Sequence, residues 1–121
     1  PQLIEFNSQQ GDPYYGRFPL ERAVAGLPPG DRLIALLKTN AGEIPCELDP
    51  HSAPLTVANF VGLARGLRPF QATSGGPWIT EPFYQDIPWH RAVEGQLIQA
   101  GQRAEQTRLC PKSPQEVHKR R

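Results

Sequence analysis

The side chains best suited to catalysis or metal binding are three histidines, two cysteines and an arginine, Arg91, set in a partly apolar run beside His90. A zinc or redox centre needs its ligands at short, repeated spacings. Cys46 and Cys110 stand far apart and make no such pattern with His51, His90 and His118. No metal and no cofactor are expected, and a disulfide between the two cysteines stays open. Cys46 lies among apolar residues and reads as a small buried hydrophobe. General acid–base work by His90 would call for an orienting carboxylate, and its segment offers none beside it. Taken alone, Arg91 reads as a surface arginine on a strand. The basic end His118-Lys119-Arg120-Arg121 has no interleaved aromatics, so nucleic-acid binding is not expected.

These residues sit in a chain of 121, long enough for one modest domain. Hydrophobic residues make up 38%, low for a compact fold, and there are 14 prolines, so loops or loose ends should surround a smaller ordered centre. A net charge of +1 points to no strongly charged partner. No apolar run is long enough to span a membrane, and no leader segment is visible.

Residues 1–16 are polar and turn-rich and read as a loose arm. Leu20, Val24 and Leu27 recur at helical spacing behind Pro19, which predicts one or two helical turns within 18–27. Pro28-Pro29-Gly30 then breaks the chain. Residues 32–48 predict a β-hairpin: an apolar run at 33–37, a turn at Asn40-Ala41-Gly42, and a return strand with Ile44, Cys46 and Leu48 on one face. Pro45 places that return strand at an edge or a bulge. Pro54 at a first turn, then Val57, Phe60, Val61 and Ala64, and finally Gly66, predict an amphipathic helix. After a loop holding a scrap of strand at Trp78-Ile79, two more strands are expected within 83–99. From Arg103 onward periodicity ends; six Lys or Arg against two Glu predict a disordered tail.

Three stretches resemble the cyclophilin-type peptidyl-prolyl cis–trans isomerases. Thr39-Asn40-Ala41-Gly42-Glu43-Ile44 is similar to that family's first hairpin, and the run from Ala53 to Gly66 (APLTVANFVGLARG) to its first helix. Phe83-Tyr84, followed by Trp89-His90-Arg91-Ala92-Val93-Glu94-Gly95-Gln96-Leu97-Ile98-Gln99-Ala100-Gly101, resembles the segment around its catalytic arginine. The resemblance implies a mainly β fold with one or two helices, a cyclophilin-like β-barrel. It divides the chain into an arm with a short helix (1–31), the N-terminal part of the domain (32–102) and a basic, disordered tail (103–121).

It also implies roles. Arg91 falls at the catalytic arginine, Gln99 at a substrate-contacting glutamine, and His90, Gln96 and Leu97 at further substrate-binding positions. The reaction implied is rotation about X-Pro bonds in proline-containing peptides or unfolded proteins, with no cofactor. Gln99 has an alternative role in satisfying a neighbouring strand. The chain also departs from the pattern. Gln96 replaces a large pocket aromatic, Leu97 a frequent Met, Glu94 a usual Pro, Ala100 a usual Gly and Gln102 a usual Asp. The resemblance ends after Gln102, so the barrel is expected to be incomplete at its C-terminal side. A non-catalytic prolyl-peptide binder or folding helper is therefore the alternative expectation.

Overall fold

The computed structural model describes residues 2–72 and 75–101 and the strand at 115–120. Ten elements follow one another in these residues. Helices are α1 (Gln2–Gln9), α2 (Leu20–Val24) and α3 (Pro54–Arg65); strands are β1 (Arg32–Thr39), β2 (Gly42–Leu48), β3 (Phe70–Gln71), β4 (Trp78–Ile79), β5 (Arg91–Val93), β6 (Leu97–Gln99) and β7 (Gln115–Arg120). The fold is mostly strands with few helices.

The hairpin forms as its turn residues dictate. β1 and β2 run antiparallel from Leu33 opposite Leu48 to Thr39 opposite Gly42. The Thr39 hydroxyl donates to the Gly42 carbonyl at 2.7 Å and accepts from the Ala41 amide, closing the turn. Among the described strands β2 lies at the edge of the order β2-β1-β7, a place where Pro45 is tolerated. Ile44 stays exposed there and Cys46 is half-buried as a free thiol.

Helix α3 starts with Pro54 and stops at Gly66, whose φ of 73° lies in the left-handed region where glycine carries no Cβ penalty. Val57, Ala58, Val61, Gly62 and Ala64 are buried. Val57, Ala58 and Val61 meet Phe18, Ala23 and Leu33 in one core, flanked by Tyr14, Leu20, Val24, Leu27, Leu48 and Phe60. Gly62 is the contact point for Phe18: a Cβ there would stand 2.5 Å from the Phe18 ring.

Several expectations are corrected. Residues 2–16 are not a loose arm. α1 occupies Gln2–Gln9, and Asp12 is buried behind it. Its carboxylate accepts the Tyr14 and Gly16 amides at 2.8 Å each and pairs with both terminal guanidinium nitrogens of Arg68 at 2.6 and 2.5 Å. Such a fully satisfied pair is what lets two charges leave water. Arg65 donates to the Ala23 and Ala25 carbonyls at 2.7 Å, and the Trp78 indole donates to Gln10 at 3.1 Å, so residues 10–25 are fastened at several points. There are thus three helices among the described residues, not one or two.

The tail also departs from expectation at its end. β7 pairs antiparallel with β1, Val117 opposite Ala35 and Arg120 opposite Arg32. A strand beside β1 satisfies backbone groups that an open edge would leave to water. Its sequence gives little warning, since Val117 is the one strongly apolar residue in QEVHKR. Residues 103–114 lie outside the described residues. The barrel expectation is met only in its coarser part: the described strands form one three-stranded sheet and two two-stranded ribbons, without closing into a barrel.

Candidate functional site

The β5–β6 ribbon carries the residues that the sequence picked out. Its turn is closed by the Gln96 amide donating to the Val93 carbonyl at 3.0 Å. The register sets Arg91 opposite Gln99, Ala92 opposite Ile98 and Val93 opposite Leu97. Because side chains alternate across a strand and directly paired residues share a face, Arg91, Gln99, Val93 and Leu97 belong to one face. Ala92 and Ile98 belong to the other. Arg91 and Gln99 are therefore lateral neighbours, and Leu97 lies on their face further toward the turn.

His90 stands just before the ribbon, its amide donating to the Gln99 carbonyl at 3.0 Å. Its side chain is exposed and Trp89 beside it is half-buried. Gln96 is exposed within the turn, and Leu97 is 43% exposed. Arg91 and Gln99 are exposed too. Among the described residues nothing hydrogen-bonds or ion-pairs with the Arg91 guanidinium. The structure thus brings Arg91, Gln99 and Leu97 onto one face, puts His90 at its entrance, and leaves Gln96 at the tip.

Aromatic residues cluster beside α3 and in the turn that leads toward the ribbon. Phe70 and Phe83 meet edge to face at 4.9 Å, Phe83 meets Tyr84 at 4.9 Å, and Tyr84 meets Phe60 of α3 at 5.1 Å. Burial pushes the Tyr84 phenol pKa upward. The sequence showed Phe60 as a core-facing position and Phe83-Tyr84 as a match to a known pattern, but gave no link between them and the ribbon.

A separate cleft of about 380 Å³ opens between α2, the start of β1 and the end of β2, with Leu20, Val24, Leu33 and Leu48 among its lining. The Arg32–Glu47 ion pair, 2.6 Å long, lies at its rim. Of the residues singled out from sequence for their chemistry, His51 lines it, whereas His90, Arg91, Gln96, Leu97 and Gln99 do not. Among the described residues no three His, Cys, Asp or Glu side chains gather in a way that could hold a metal ion, and no helix is long and apolar enough to cross a membrane.

Residues 34–121 match the family model described as cyclophilin type peptidyl-prolyl cis-trans isomerase/CLD. Peptidyl-prolyl cis-trans isomerase A of Mycobacterium tuberculosis is 48% identical over 69 residues, covering 55% of this chain and 37% of the relative. Its probable counterpart in Mycobacterium leprae is 46% identical over 69 residues, again 55% and 37%. Peptidyl-prolyl cis-trans isomerase B of Streptomyces anulatus is 42% identical over 71 residues, covering 59% of this chain and 41% of the relative. The chain therefore spans about two fifths of the length of these relatives. No solved structure matches significantly. The family match continues past Gln102, where the resemblance was expected to stop, and takes in β7.

Proposed function

This chain belongs to the cyclophilin-type peptidyl-prolyl cis–trans isomerase family, and on that premise we propose that it catalyses rotation about X-Pro bonds in proline-containing peptides and unfolded proteins. The observation that carries the proposal is Arg91 directly opposite Gln99 on an exposed ribbon face, its guanidinium without a partner among the described residues.

Amide resonance sets a barrier of about 18–20 kcal/mol to rotation about a peptide bond. No covalent step is needed to lower it; the site has only to hold the twisted amide better than either planar form. In the twisted state the proline nitrogen becomes pyramidal and regains a lone pair. A fixed guanidinium can donate to that nitrogen or to the neighbouring carbonyl where charge develops. Gln99, with both a donor and an acceptor on its amide, suits the peptide backbone alongside. Leu97 supplies apolar surface for the ring on the same face. His90 and Gln96 flank this patch as contacts to the rest of the peptide. The chemistry calls for no cofactor.

We also propose that these elements form an open, incomplete part of a cyclophilin-like barrel. The reading is supported by the unclosed described sheets and by the short share of each relative that the chain spans. One observation favours a second reading, a prolyl-peptide binder without catalysis. Gln96 is exposed where the resemblance implies a pocket aromatic, so the proline ring has less apolar surface around it. Exchange spectroscopy on an Ala-Pro peptide separates the two. Catalysed exchange that drops about 100-fold or more in Arg91→Ala supports the isomerase. Peptide binding that persists in Arg91→Ala without exchange in either protein supports the binder.

A further inference from the structure

A two-stranded ribbon is marginally stable alone, so something outside β5 and β6 must hold Arg91 still. The structure points to one residue. Tyr84 lies in the turn that leads into the ribbon, six residues before His90 in sequence. Its ring also reaches the chain leaving the ribbon: a Cβ built on Gly101, two residues beyond Gln99, would stand 3.8 Å from Tyr84 Cε1, an ordinary van der Waals separation. The entering and leaving legs thus meet at this side chain. On its other side the ring packs on Phe60 of α3 at 5.1 Å and on Phe83 at 4.9 Å. The Phe83 amide donates to the Leu63 carbonyl of α3 at 2.9 Å, fixing the turn to the same helix.

From this arrangement we infer that Tyr84 is a positioning residue for the Arg91–Gln99 pair, clasping both legs of the ribbon to α3. The inference rests on the proposed role of Arg91, but the clasp itself is a matter of geometry. Tyr84 touches no reacting atom. The ring does the work, since no hydrogen bond of its hydroxyl is needed for any of these contacts. Gly101 takes part because its φ of 106° is one that L side chains rarely adopt. A substitution there should shift the leaving leg off the ring while leaving the aromatic cluster in place.

The test compares wild type, Tyr84→Leu and Tyr84→Phe by ¹⁵N relaxation at Arg91 and Gln99 and by Ala-Pro exchange. In Tyr84→Leu, order parameters across 91–99 should fall from roughly 0.85 to below about 0.6, with those of α3 and the β1–β2 hairpin unchanged. The catalysed rate at saturating peptide should fall roughly 10- to 100-fold while KM changes less than about 2-fold, as expected for misplacement of a donor. Tyr84→Phe should keep both readouts. If Tyr84→Leu does not fold, Gly101→Ala carries the test and should loosen the ribbon in the same way. A folded Tyr84→Leu, or failing that Gly101→Ala, with wild-type order at Arg91 and Gln99 overturns the inference. Were wild type to show no catalysis, the proposed function would fail, and the order parameters would still decide the clasp.

Discussion

Arg91 and Asp12 show how differently single residues announce themselves. Arg91 became visible through its neighbours, because a run of thirteen residues around it matches a known pattern. Asp12 gave no signal: an Asp before Pro13 in a turn-rich stretch reads as an ordinary turn, and its partner Arg68 is 56 positions away. Only the fold brings them together. Burial pushes the Asp12 carboxyl pKa up, but hydrogen bonds from Arg68, Tyr14 and Gly16 and the Arg68 charge outweigh it and hold the pKa below the usual value. A depressed folded-state pKa means stability that is present above the unfolded-state value, near 3.9, and lost as pH falls through the folded one. Acid unfolding followed by circular dichroism should therefore show a transition below about pH 4 that is absent from an Asp12→Asn, Arg68→Met double variant. Asp12→Ala alone strands a buried guanidinium and should cost about 3–5 kcal/mol in urea unfolding.

Elements were legible where period and punctuation agreed. The hairpin and α3 follow from apolar spacing bounded by turn residues, proline and glycine, and they form with nearly the expected limits. α1 was missed because its polar, Gln- and Asn-containing sequence carries little helical periodicity, and its Leu3 and Phe6 remain exposed. The strands near the site were read as longer than they are. Phe83 to Asp86 form a turn, and Pro88 keeps the segment before β5 out of the ladder. Inside α3, Gly62 sets two rules against each other. Replacement by alanine raises helix propensity by about 1 kcal/mol. The new Cβ would meet the Phe18 ring at 2.5 Å within a packed core, and overpacking of this kind costs about 1–3 kcal/mol. The packing term wins, so thermal unfolding of Gly62→Ala should occur several degrees below wild type.

At the scale of the whole molecule, both ends are more deeply built in than composition suggested. Phe18 and Ala23 from the first thirty residues pack into the same core as Val57, Ala58 and Val61. Deleting residues 1–31 should leave a chain that fails to give dispersed amide signals, whereas a loose arm would be dispensable. β7 covers one side of β1, so deleting residues 115–121 should speed hydrogen exchange at β1 amides and promote association through the opened edge. A disordered tail would leave both unchanged. These long-range pairings, like that of Asp12 with Arg68, join segments whose local patterns carry no trace of one another. The site residues, by contrast, lie within ten positions on one ribbon, which is why a short match could expose them.

Arg91 is proposed to promote rotation about a prolyl bond. The most direct test is NMR exchange spectroscopy on a short Ala-Pro peptide with the full chain and with its Arg91→Ala variant. Faster cis–trans exchange is expected with the wild type, and a loss of about 100-fold or more in the variant. Equal exchange with both proteins, or none above the uncatalysed rate with the wild type, would contradict this role.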